Sequence, residues 1–91
     1  NKLSREFKPH QDAYVKCEAA LEKLIGRQSE VEGLLALPEV YADQGKTSEL
    51  LAEFSRLGNE TDRIMEEMEK LEGVLAEFEA RKQELQEMGG E

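Results

Sequence analysis

The chain has 91 residues, with 12 Lys and Arg against 21 Asp and Glu and a formal charge of −9, which leaves room for one small domain. Hydrophobic residues reach 38%, aromatics 5% and Trp is absent, too poor a supply of β-branched and aromatic side chains for a sandwich, barrel or doubly wound sheet. One cysteine, Cys17, and one histidine, His10, offer neither an internal disulfide nor a Cys/His zinc set, so no metal site is expected.

No run of about 18 apolar residues is present to span a bilayer, and residues 1–10 are charged rather than an apolar signal core. A soluble, cytoplasmic protein without a membrane partner is expected. The first residue is Asn rather than Met, so the chain is expected to be a piece of a longer protein that need not hold the parent's catalytic machinery.

In chain order, Phe7, His10, Tyr14, Cys17, Leu21, Leu24, Gln28, Val31 and Leu35 follow one another at alternating steps of three and four, the heptad seam of an amphipathic helix. This predicts a first helix over about Pro9 to Leu37, roughly 40 Å long. A tip over 38–46 follows. Pro38 disfavours helix at Leu37 and starts a short helical turn, whose apolar Leu37, Val40 and Tyr41 are expected to fold back on the neighbouring helices. Gly45 marks a turn, and Thr47 or Ser48 supplies the N-cap of the next helix.

A second seam runs Leu50, Phe54, Leu57, Thr61, Ile64, Met68, Leu71, Leu75, Phe78, Lys82 and Leu85 without a slip. It predicts a second helix over about Thr47 to Met88, roughly 60 Å long, stopped by Gly89-Gly90. So short a connection implies an all-α fold: an antiparallel two-helix coiled-coil hairpin with a short helical turn at its tip, a single domain over 1–91. Placing Leu35 opposite Leu50 puts Val31 by Phe54, Leu24 by Thr61, Leu21 by Ile64, Cys17 by Met68, Tyr14 by Leu71 and Phe7 by Phe78. Gln28 and Thr61 fall in adjacent layers and either hydrogen-bond or reach water at the edge of the seam. Ile25, Leu34, Leu51 and Met65 flank the seam, to be covered by the tip, a second copy or a partner. Gly26, Gly33 and Gly73 fall on the outer face, as tolerated residues or as a groove for close approach.

No motif in the chain carries a reaction. Gly45-Lys46-Thr47 lacks the first glycine and the preceding strand of a phosphate-binding loop, Asn59-Glu60-Thr61 lies mid-helix, and Cys17 is a seam thiol without a histidine partner. Glu66, Glu67, Glu69 and Glu72 read as a solvated face, since a two-helix hairpin has no dry concavity to shift their pKa values. The chain is therefore not expected to be an enzyme, and no catalytic, cofactor-binding or metal-ligating residue is assigned.

Charge is uneven along the chain. Residues 1–27 carry six basic and four acidic side chains, residues 28–91 six basic and seventeen acidic. The first helix is thus the expected contact for nucleic acid, with Lys16 and Lys23 seven apart on one face and Arg27 close by. The alternative is that these cations pair with acids of the second helix.

The order of features resembles a known family: a basic lead-in Asn1-Lys2-Leu3-Ser4-Arg5-Glu6-Phe7-Lys8-Pro9, a heptad helix, the tip Leu34-Leu35-Ala36-Leu37-Pro38-Glu39-Val40-Tyr41-Ala42-Asp43-Gln44-Gly45-Lys46, and a second helix with Met65-Glu66-Glu67-Met68-Glu69-Lys70-Leu71-Glu72. It resembles the C-terminal coiled-coil domain of the Uup-like group of ABC-F ATPases, although Leu37 replaces the family's usual acidic residue before the proline and Met68 stands where Trp is common. The resemblance implies a parent with two tandem ATP-binding cassettes that uses ATP and magnesium and acts in translation at the ribosome. This chain would be its accessory tail, packing on the cassette domains and binding DNA or ribosomal RNA. Two alternatives stand beside it: the N-terminal helical interaction domain of a class I peptide chain release factor, whose tip reads similarly, and a structural coiled-coil module that forms a homodimer.

Overall fold

The computed structural model describes residues 2–89, and among these it is all helix and turn: α1 (Lys2–Leu35), α2 (Pro38–Tyr41) and α3 (Gln44–Gly89). The molecule is a rod of 70 × 16 × 15 Å. A rod two helices wide can bury little, and the buried apolar residues among those described are Val31, Val40, Leu57 and Leu71, with Val31 alone at 0% exposure. The remaining seam residues of both helices are half-buried, apart from Lys82 and Leu85, which are exposed, because each faces a single opposing helix.

Contacts between α1 and α3 join early residues of one to late residues of the other. Phe7 meets Phe78 edge-on with ring centroids 5.7 Å apart, the Tyr14 hydroxyl donates to Glu72 Oε2 at 2.8 Å, Gln28 Nε2 lies over Gly58, and Arg27 reaches Glu53.

Four boundaries differ from the expected ones. α1 begins at Lys2 rather than Pro9 and carries the proline inside it. Pro9 removes the N–H that would bond the Arg5 carbonyl, but the turns before it are held by packing. Phe78 is a hub for Phe7, for His10 at 5.6 Å and for the Arg81 guanidinium at 5.5 Å over its ring, and Arg81 also lies 3.9 Å from Glu6.

At the tip, α1 ends at Leu35, two residues earlier than expected, and tightens through Leu37 N–H to the Leu34 carbonyl at 3.1 Å. Leu37 is extended (φ −76°, ψ 133°) ahead of Pro38, which takes the first position of α2. The helical turn expected at the proline is therefore present.

α3 begins at Gln44, three residues before the expected start, because Asp43 is its cap. The Lys46 N–H donates to Asp43 Oδ1 at 3.1 Å and the Thr47 N–H to the Asp43 carbonyl at 3.0 Å. Thr47 instead donates its hydroxyl to the Val40 carbonyl at 2.9 Å, tying α2 to α3. Gly45 sits in the first turn of α3 rather than in a loop. At the other end α3 includes Gly89; Gly90, the rest of the expected helix stop, lies outside the described residues.

Two packing expectations are corrected. Of the tip trio only Val40 is buried, at 7% exposure, whereas Leu37 and Tyr41 remain 39% and 62% exposed, since a single-turn helix has one inward side. Of the four residues flanking the seam, Leu34 is half-buried, whereas Ile25, Leu51 and Met65 keep about half their surface in solvent, so the tip does not cover those three. The outer glycines Gly26, Gly33 and Gly73 face open space.

Gln28 and Thr61 do not hydrogen-bond: the Thr61 hydroxyl is buried without a partner, and Gln28 turns to Gly58, one layer away. A buried hydroxyl that makes no hydrogen bond is a net cost. Thr61→Val keeps the β-branched shape and removes it, and is expected to raise stability by about 1 kcal/mol, read as a higher urea midpoint at unchanged slope.

Candidate nucleic-acid interface

The seam divides the rod into two long sides. In each heptad, the residue immediately before one seam position projects to one side and the residue immediately after it to the other. On α1, Lys16 and Lys23 each stand just before a seam residue (Cys17, Leu24), seven apart and so about 10 Å apart along the axis. On α3 the same position is filled by Arg56, Arg63 and Lys70, before Leu57, Ile64 and Leu71. The contacts between the helices place these rows on one side, because Lys23 and Arg63 line a single groove floored by Ala20, Leu24 and Ile64, with Glu60 at its edge.

Arg27 and Glu53 lie on that side too, as a two-point ion pair: Arg27 Nε to Glu53 Oε2 at 2.6 Å and Nη2 to Oε1 at 2.9 Å. Such a fork is among the stronger side-chain hydrogen bonds. Of the three expected contact residues, Arg27 is thus committed within the protein, while Lys16 and Lys23 make no ion pair among the described residues. Arg63 and Lys70 make none either. Arg56, Arg63 and Lys70 lie in the strongly acidic remainder of the chain and do not stand out when charge is summed along it. Their signal was a cation followed directly by an apolar seam residue, repeated five times at heptad spacing.

No protein family, curated protein or solved structure matches this chain. The chemistry of the site therefore rests on its own residues. Within α1 and α3 between residues 11 and 76, every Lys and Arg falls on the groove side by helical phase: Lys16, Lys23 and Arg27 from α1, and Lys46, Arg56, Arg63 and Lys70 from α3. These seven cations face five carboxylates on the same side. The rest of the surface over that span holds eight carboxylates and no cation. A chain of net charge −9 thus presents one weakly cationic side, floored by small and apolar groups, with ammonium and guanidinium groups spaced about one heptad apart. No helix among the described residues is long and apolar enough to cross a membrane.

The ion pair also sets a pH dependence. The Arg27 hydrogen bonds hold the Glu53 carboxyl below its ordinary range. A carboxylate with a lowered folded pKa contributes stability that is present above its unfolded pKa and lost as the pH falls through the folded value. Glu53→Gln is therefore expected to melt below the wild type at pH 7, and the gap between the two melting temperatures is expected to close as the pH is lowered through the Glu53 titration. Tyr14 shifts the other way: its hydrogen bond to Glu72 raises the phenol above its ordinary value, so it stays a neutral donor.

Proposed function

We propose that this chain is a non-catalytic, antiparallel coiled-coil hairpin that binds nucleic acid, DNA or ribosomal RNA, through its groove side. The observation that supports this reading is the groove shared by Lys23 and Arg63, two cations from different helices that make no ion pair among the described residues. Lys16, Arg56 and Lys70 extend the same rows. Phosphate contacts of this kind position a nucleic acid without reading its sequence, which suits an accessory domain. The tip and lead-in resemblance supports a place as the C-terminal tail of a Uup-like ABC-F ATPase, cytoplasmic and ribosome-associated, with ATP and magnesium handled by the parent's cassettes.

The test is fluorescence anisotropy of a labelled DNA duplex and of a ribosomal RNA hairpin across a salt series. Contacts with five phosphates of B-DNA give a slope of about −4.5 in log affinity against log salt. Absence of binding to both probes at low salt, or an affinity indifferent to salt, would overturn the reading.

A further inference from the structure

The side of the rod opposite the groove has its own chemistry, and the nucleic-acid reading does not use it. Leu51, Gly58 and Met65 occupy one heptad position of α3, each just after a seam residue, and Ile25 holds the same position on α1. Ile25, Leu51 and Met65 are 49%, 53% and 54% exposed. Scattered exposed hydrophobics need no explanation, but these share one line. Leu51 and Met65 are four turns apart, about 21 Å, and Ile25 falls between them across the seam, because Gln28, three residues on, lies over Gly58. Gly58, midway along the strip, lies beneath the Gln28 side-chain amide. Apolar residues at both seam positions and the next one out are the pattern of helices that face a further helix in a bundle.

The rim of the strip decides what that further helix is. Glu18, Glu22 and Glu32 of α1 and Asp62 and Glu69 of α3 border it, all exposed, and no Lys or Arg between residues 11 and 76 falls on this side. A second copy docking by the same face would set carboxylate rim against carboxylate rim, since a two-fold interface pairs each patch with itself. A helix with basic flanks meets complementary charge along both edges.

We propose that this side seats one basic amphipathic α-helix of a partner protein, completing a three-helix bundle. Its apolar stripe packs on Ile25, Leu51 and Met65, and its Lys or Arg flanks face Glu18, Glu22, Asp62 and Glu69. The groove on the opposite side stays open, so both surfaces are engaged at once.

The test uses a fluorescein-labelled synthetic peptide of about 18 residues, five turns, with Leu at helical spacing and Lys on both flanks, and a counterpart with Glu replacing Lys. The Lys peptide is expected to bind the full chain and the Glu peptide not. The double variant Ile25→Glu with Met65→Glu is expected to weaken the Lys peptide about tenfold or more. The direction is diagnostic, because two added carboxylates would strengthen a purely electrostatic attraction. Leu51→Gln, neutral and helix-compatible, should weaken binding in the same direction, and Met88→Glu, on a residue 83% exposed at the far end of α3, should not. The proposal is overturned if neither peptide binds, if the double variant binds the Lys peptide as well as the wild type does, or if sedimentation finds a dimer that the double variant abolishes.

Discussion

Truncating Leu71 to alanine is expected to lower the unfolding free energy by about 2–5 kcal/mol, the range for deleting a buried leucine side chain and leaving a cavity. Leu71 is one of four buried apolar residues among those described, at 7% exposure, and it is flanked by the Tyr14–Glu72 hydrogen bond that joins α3 to α1. In a thick domain such a loss is spread over many neighbours. Here a two-helix seam supplies nearly all the burial, and small domains have only a few kcal/mol in hand. For a chain of this size each kcal/mol lowers the melting temperature by about 4–8 °C, so the variant is expected to melt at least about 8 °C below the wild type. Met88→Ala removes a comparable side chain that is 83% exposed and is expected to stay within about 0.5 kcal/mol. Thermal melts followed by circular dichroism compare the two, and equal shifts would mean that Leu71 packs against nothing.

Much of this architecture was legible in the spacing of apolar residues. The alternation of threes and fours marked both long helices, and Pro38 marked the short one, because periodicity and proline stereochemistry act locally. What was missed depends on contacts distant in sequence. Nothing near Pro9 indicates that Phe78 holds the turns before it. Asp43 caps α3 ahead of two equally plausible hydroxyl residues, Thr47 and Ser48, because the turn of α2 delivers its side chain to the Lys46 N–H. Gln28 and Thr61 occupy neighbouring layers, yet whether they meet depends on the space beside Gly58, which a sequence does not display.

The charge pattern is the instructive case. Summed along the chain, it contrasts a slightly basic first segment with a strongly acidic remainder and points to α1 alone. Sorted around the rod, it assigns cations from both long helices to one side, so the acidic α3 supplies Arg56, Arg63 and Lys70 to the same surface as Lys16 and Lys23. The information was present in five cation–apolar pairs, but only the phase of each helix against its partner gives it meaning.

Reversing charge in the groove is expected to have the largest effect on binding. If the groove binds nucleic acid as proposed, Lys23→Glu and Arg63→Glu would each remove one phosphate contact and place a carboxylate where the phosphate would sit. Each is expected to reduce the salt slope by about 1, and together they are expected to weaken nucleic-acid binding about 100-fold or more near 0.1 M salt. Both positions are exposed, so helix content should be unchanged. Lys8→Glu is the matched control. It alters net charge by the same amount, but Lys8 is 73% exposed and already paired with Asp12 at 3.2 Å, on the side away from the groove.

The decisive measurement is the salt dependence of duplex DNA and ribosomal RNA binding by Arg63→Glu beside Lys8→Glu. A surface built from both helices predicts that Arg63→Glu loses affinity and about one unit of slope while Lys8→Glu stays near the wild type. Equal effects of the two substitutions would show that only total charge matters and would contradict a shared groove.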